Sequence, residues 1–73
     1  MEVYANRRGN SPITHYSIGS KTITVWFKGG KPYTYSYYGG AGQYHVEEMK
    51  NMARAGSGPS AYITRNVRDD FDK

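Results

Sequence analysis

Residues 22–38 read Thr-Ile-Thr-Val-Trp-Phe-Lys-Gly-Gly-Lys-Pro-Tyr-Thr-Tyr-Ser-Tyr-Tyr, two alternating runs on either side of Gly29-Gly30, which is the signature of a β-hairpin. Ile23, Val25 and Phe27 share one side of the first run, and Tyr33, Tyr35 and Tyr37 share one side of the second. Pairing 27 with 33, 25 with 35 and 23 with 37 stacks the two sets on one face and leaves Gly29-Gly30-Lys31 as the turn. A one-residue slip would set Thr34 and Ser36 against the apolar set, so the alternation selects this register. Pro32 sits at the mouth of the second strand, where a missing amide donor is tolerated.

Upstream, residues 13–18 are rich in β-branched and aromatic side chains and end at Gly19-Ser20, so 13–18, 22–28 and 33–38 read as three strands. Their short connections require an antiparallel meander. Tyr16 and Ile18 join the tyrosine face. The opposite face should carry His15 and Ser17, then Thr24, Trp26 and Lys28, then Thr34 and Ser36. The only tryptophan is thus expected to project among hydroxyls.

Downstream, residues 43–55 form a helical pattern with Val46, Met49 and Ala53 as its buried stripe, Met52 beside them and Gly56 as terminator. Gly58-Pro59-Ser60 opens a second helix with Ser60 as N-cap, along which Ile63, Val67 and Phe71 recur every four residues. Both stripes should cover the tyrosine face. Residues 1–10 lack periodicity and read as a flexible N-terminal arm, with Val3 and Tyr4 able to dock on the sheet. The expected fold is α+β, a three-stranded antiparallel meander with two C-terminal helices packed on one face, in a single domain over 11–73.

Composition makes that fold demanding. The 73 residues hold no Leu and no Cys, and four Ile, four Val and two Phe fall below the roughly 20% of large aliphatic and Phe residues under which disorder becomes the default. Eight Tyr and one Trp compensate, because each buries a large area while keeping a polar edge. Without cysteine there is no disulfide framework, thiolate nucleophile or Cys-containing metal site, and a reducing cytoplasm is the expected setting. No apolar run is long enough to span a membrane, and residues 1–10 hold no apolar stretch fit for a signal-peptide core.

The net charge of +4 is unevenly placed. Between Val3 and Val46 there is no acidic residue, while Arg7, Arg8, Lys21, Lys28 and Lys31 are basic, an asymmetry that favours a polyanion or an acidic protein surface.

The ordered string Ser11-x-Ile13, then Thr22-Ile23-Thr24-Val25-x-Phe27-Lys28-x-Gly30-Lys31-x-Tyr33-x-Tyr35, then Tyr44, Ala55-x-Ser57, Tyr62-Ile63 and Val67-Arg68-x-x-Phe71 resembles the KTSC domain family. That family is named for a module at the C-terminus of some lysyl-tRNA synthetases and also occurs as short stand-alone proteins of bacteria and phages. The resemblance spans roughly residues 11–71. It implies the same small α+β fold and no agreed biochemical activity, and its occurrence beside a tRNA-handling enzyme points toward RNA. Tyr38-Gly39 stands where members usually carry Val-Pro, and Trp26 where a polar or charged residue is common.

An enzyme is not expected. His15 and His45 lack the partner spacing of a triad or metal cluster, and His45-x-Glu47 lacks the cysteines that would make it a zinc-deaminase motif. No metal or cofactor is implied. Gly39-Gly40-Ala41-Gly42 precedes a helix but lacks the Gly-Lys-Ser/Thr ending of a phosphate loop, and serves as a flexible link. The polar sheet face is the strongest candidate: Trp26 offers a stacking platform flanked by His15 and Lys28, with Arg7 and Arg8 on the arm as phosphate neutralisers and Lys21 and Lys31 as further basic contact residues. The expected role is a non-catalytic module contacting RNA, single-stranded DNA or a ribonucleoprotein. Two alternatives stay open. The arm could fold over Trp26 and hide it, or the face could bind protein, as would a phage-encoded inhibitor or adaptor of host nucleic-acid machinery. The chain could be a monomer or an edge-strand homodimer.

Overall fold

Four antiparallel strands, β1 (Glu2–Val3), β2 (Ile13–Ile18), β3 (Thr22–Phe27) and β4 (Pro32–Ser36), form one sheet in the order β1-β2-β3-β4 in a computed structural model that describes residues 1–7, 9 and 11–72. Helix α1 (Gly42–Ala55) follows, then α2 (Pro59–Tyr62), which runs on into a π-helical segment, Ile63–Val67. The α+β class and the antiparallel meander are as expected, but the sheet has four strands rather than three. The extra strand comes from the N-terminal segment, where Glu2 pairs with Tyr16 and Val3 with His15. Two residues are too few to show alternation. What holds them is the next residue: Tyr4 is only 5% exposed, and its backbone N–H donates to the Thr14 carbonyl at 2.9 Å.

Faces follow the alternation, whereas register does not. Ile23 pairs with Tyr35 and Val25 with Tyr33, a shift of two residues from the expected pairing. A two-residue shift leaves every side chain on its own face, so hydrophobic patterning is blind to it. The turn decides. Gly30 N–H donates to the Phe27 carbonyl at 3.0 Å, and the loop is Lys28-Gly29-Gly30, with φ of 99° at Gly29 and 88° at Gly30. Both glycines adopt backbone conformations that side chains rarely reach, which is why the turn centres there.

A bulge near Thr14 sets the other pairing. Ile13 pairs with Phe27, but His15 pairs with Trp26, so one residue of β2 is extra. Simple alternation would put Ile13 and His15 on the same side. The bulge turns Ile13 into the core, where it is 2% exposed, and leaves His15 on the outer face.

The core lies between the sheet and the helices. Ile23, Val25 and Tyr35 from the sheet meet Val46, Met49 and Ala53 of α1 and Ile63 and Val67 beyond α2, with Tyr4, Ile13 and Ala41 completing the cluster. Lys50 is buried as well, which the α1 stripe did not anticipate. Its ammonium donates to the Ser20 carbonyl at 3.1 Å, meets Glu47 Oε2 at 2.8 Å and lies 5.4 Å from the centre of the Tyr37 ring. Those partners replace the water that burial removes.

Helix α1 ends as a Schellman motif. Ser57 N–H donates to the Met52 carbonyl and Gly56 N–H to that of Ala53, with Gly56 left-handed at φ 75°. The second helix departs from expectation at both ends. Its N-cap is Gly58, with Pro59 at the first helical position, rather than Ser60. Phe71 lies past the helical segment and stands edge-on to Tyr33 at 4.8 Å. The π-helical stretch accompanies side-chain competition for backbone acceptors: Thr64 Oγ1 donates to the Ser60 carbonyl and Asn66 Nδ2 to that of Tyr62.

Past that point the chain returns to the free edge of the sheet. Asp72 N–H donates to the Thr34 carbonyl of β4 at 2.6 Å, and Pro32 on the same strand has no N–H to offer. Such features blunt an edge against strand pairing. No helix among the described residues is long and apolar enough to cross a membrane.

Tyr4→Ala should destabilise the fold by about 3 kcal/mol, as large aromatic truncations in cores do, whereas Val3→Ala, at an exposed neighbouring position, should stay within about 0.5 kcal/mol. Gly56→Ala should also be costly, since its φ is 75° and an added Cβ would lie 2.7 Å from the Ala5 Cβ. Urea unfolding midpoints of the three variants check both statements.

Candidate functional site

Sheet register builds the outer face row by row. Val3, His15, Trp26 and Pro32 are successive cross-strand neighbours and form one row, and Ser17, Thr24 and Thr34 form the next. Thr24 and Thr34 share a hydrogen bond between their hydroxyls at 2.8 Å. Val3, at 74% exposure, is the open end of the first row, while Trp26 is half-buried within it. No strand position on this face carries a carboxylate; Asp72 reaches only its far corner, accepting from Ser36 Oγ at 3.1 Å.

The bulge residue orients the row. Thr14 Oγ1 donates its single proton to the Trp26 carbonyl at 3.2 Å and sits 3.0 Å from His15 Nδ1.

Past Trp26 and Pro32 the hairpin closes, and Lys28 and Lys31 flank the glycine pair. Lys28 N–H donates to the Pro12 carbonyl at 2.8 Å, tying the tip to the entry of β2. Both side chains are exposed, and neither ammonium has an ion-pair partner among the described residues. Lys28 was expected beside Trp26 on the outer face. It belongs instead to the tip, because β3 ends at Phe27.

Behind the tip, on the helix side of the sheet, lies a groove of about 610 Å³. Phe27, Tyr33 and Phe71 line it as a chain of edge-to-face rings, Phe27 to Tyr33 at 5.4 Å and Tyr33 to Phe71 at 4.8 Å. Lys28, Lys31 and Arg68 line it too, with one carboxylate, Asp69. Arg68 was not singled out from the sequence. Its only local signal is its place between Val67 and Phe71, and the groove appears only when the C-terminal turn folds back onto the hairpin.

The remaining expected contact residues lie apart. Lys21 occupies the other end of β3, about 20 Å away at strand rise, where its ammonium donates to Tyr38 Oη at 3.0 Å and sits 5.3 Å from that ring's centre. Arg7 caps α1: Nε donates to the Ala55 carbonyl and its backbone N–H to that of Gly56, both at 2.8 Å. A cation there offsets the negative helix end. Arg8 lies outside the described residues. Trp26 and His15 are therefore cross-strand neighbours, Lys28 and Lys31 follow them at the hairpin tip and line the groove, and Lys21 and Arg7 lie elsewhere. The described part of the N-terminal segment follows β2 on the side away from β3, so it does not overlie Trp26.

Two polar clusters complete the surface. Tyr37 Oη donates to Glu47 Oε2 at 2.6 Å, the same oxygen that Lys50 reaches, and His45 Nδ1 is hydrogen-bonded to Tyr62 Oη. The Lys50 ammonium, and after it the Tyr37 hydroxyl, hold the Glu47 carboxyl below its ordinary value. Burial, followed by the charges of Tyr33, Asp70 and Asp69, pushes Tyr35 up to about 12. Among the described residues, no group of three or more His, Asp or Glu could hold a metal ion.

Compared with protein-family models, with curated proteins and with solved structures, the chain matches none.

These shifts bound the stability profile. A lowered Glu47 value adds stability above the ordinary 4.5 that is lost as pH falls through the folded value, so Glu47→Gln should flatten the acid limb. A raised Tyr35 value adds stability below 10.0 that is lost as pH rises toward 12, so Tyr35→Phe should soften the alkaline limb. Thermal unfolding followed by circular dichroism from acid to alkaline pH reads both.

Proposed function

We propose that this chain is a small non-catalytic module that binds single-stranded nucleic acid through the tip of its β3–β4 hairpin, with Trp26 and His15 as the platform and Lys28 and Lys31 as the phosphate contacts. The observation that supports it most is one of register. Trp26 pairs with Pro32 in the last cross-strand pair before a turn flanked by two lysines with no ion-pair partner among the described residues, and no strand position on the Trp26 face carries a carboxylate. An aromatic platform beside unpaired cations is what a single strand requires, because bases stack without regard to sequence and phosphates need neutralisation. The resemblance of this hairpin to the KTSC family points the same way, through that family's place beside a tRNA-handling enzyme. The lack of cysteine suits action in the cytoplasm.

The contact surface is smaller than composition suggested. Arg7 is engaged at the end of α1 and Lys21 with Tyr38, so two lysines rather than a long basic stripe carry the electrostatic part. Affinity should then be modest and strongly dependent on salt, with log K falling by about 0.7 per decade of salt for each phosphate neutralised.

Titration of a short single-stranded RNA and its DNA counterpart should quench Trp26 fluorescence at low salt and lose this effect at high salt. With a labelled strand read by anisotropy, Trp26→Ala should weaken binding by about 1 to 3 kcal/mol without changing the salt slope. The Lys28→Ala, Lys31→Ala double variant should lower that slope by about 1.4. Quenching absent for both strands at low salt would sink the proposal.

A further inference from the structure

The groove behind the hairpin tip has a composition that neither stability nor the outer-face contact requires. Three exposed cations, Lys28, Lys31 and Arg68, line it from two parts of the chain more than thirty residues apart in sequence against a single carboxylate, Asp69, and none of the three is in an ion pair among the described residues. Bringing like charges together is unfavourable unless an anion joins them. Its floor is aromatic, formed by Phe27, Tyr33 and Phe71. At about 610 Å³ it falls inside the roughly 300 to 1,000 Å³ range of small-molecule sites.

We infer that this groove receives one nucleoside-phosphate unit of the bound strand, its base against the Phe27–Tyr33–Phe71 floor and its phosphate between Arg68 and the two lysines. A plain anion would leave the aromatic floor unused, and an apolar ligand would leave the cations unpaired. Arg68 is suited to the phosphate because its planar guanidinium can donate two parallel hydrogen bonds to neighbouring oxygens. Asp69, the one carboxylate of the lining, is an acceptor and can take a base amino group or a ribose hydroxyl. Lys28 and Lys31 line this groove from the hairpin tip, which directly follows the Trp26–Pro32 pair, so a strand stacked on Trp26 can pass over the tip into it. The inference rests on the nucleic-acid role proposed for the tip and extends it to the opposite side of the sheet.

Amide NMR spectra of the full chain, titrated separately with adenosine 5′-monophosphate, adenosine and inorganic phosphate, test it. The monophosphate should shift signals from residues 27–31, 64 and 68–71, and should bind about tenfold more tightly than either fragment, since it alone engages both the rings and the cations. Arg68→Ala, at an exposed position, should weaken the monophosphate about tenfold. A short single strand should displace the monophosphate. If the monophosphate shifts nothing in the groove, or Arg68→Ala binds it as well as wild type does, the inference is overturned even where oligonucleotides still quench Trp26. If the monophosphate binds but a strand does not displace it, the groove is a free-nucleotide site and the strand assignment is overturned. Strand binding that shifts only the groove, without quenching Trp26, would support the inference while removing the outer-face platform.

Discussion

The Lys28-Gly29-Gly30 turn is the constraint on which the rest depends. Two successive residues with φ near 90° can be supplied cheaply only by glycine, and their position determines where β3 stops and β4 begins. From that stop follow the pairings of Val25 with Tyr33 and of Ile23 with Tyr35, and from these the layer onto which α1 packs. The same turn puts Lys28 and Lys31 beside one another at the end of the sheet. A single backbone requirement thereby shapes both the core and a basic corner of the surface.

A core without leucine is made possible by tyrosine used in two ways. Tyr35 and Tyr4 are buried almost entirely, as aliphatic residues would be. Tyr16, Tyr33, Tyr37 and Tyr62 are half-buried, packing their rings on the core and keeping their hydroxyls near solvent or a partner. That second mode couples packing to polar chemistry. Tyr37 lies against Lys50 and donates to Glu47, so the sheet and α1 are joined by a charged network as well as by apolar area. Tyr33 both packs on the core and lines the groove, which makes the candidate site an extension of the core.

Much of the candidate site was legible in the strand pattern and some was not. Trp26 stands out as the one large aromatic on the side of its strand otherwise occupied by threonine, and the structure keeps it there. Lys28 and Lys31 were legible as basic, but their departure from the Trp26 face to the tip follows from the end of β3 at Phe27. Arg7 looked like a phosphate contact by charge alone; its engagement with the Ala55 carbonyl depends on where α1 ends in space. Arg68 and Phe71 carried no local mark of a site, because their partners are some forty residues away in the chain.

By itself the sequence determined the α+β class, the antiparallel order, the faces of β2 to β4 and the buried stripe of α1. Each of these is a local periodicity, and a period of two or of 3.6 residues is written in the chain whatever it later touches. Tertiary structure alone decided the register within those faces, the bulge that turns Ile13 inward, the pairing of Glu2–Val3 as a fourth strand, the burial of Lys50, and the meeting of Arg68 with the hairpin tip. The physical reason is that parity cannot distinguish registers two residues apart, and a charge shows no preference until a partner from elsewhere in the fold arrives beside it.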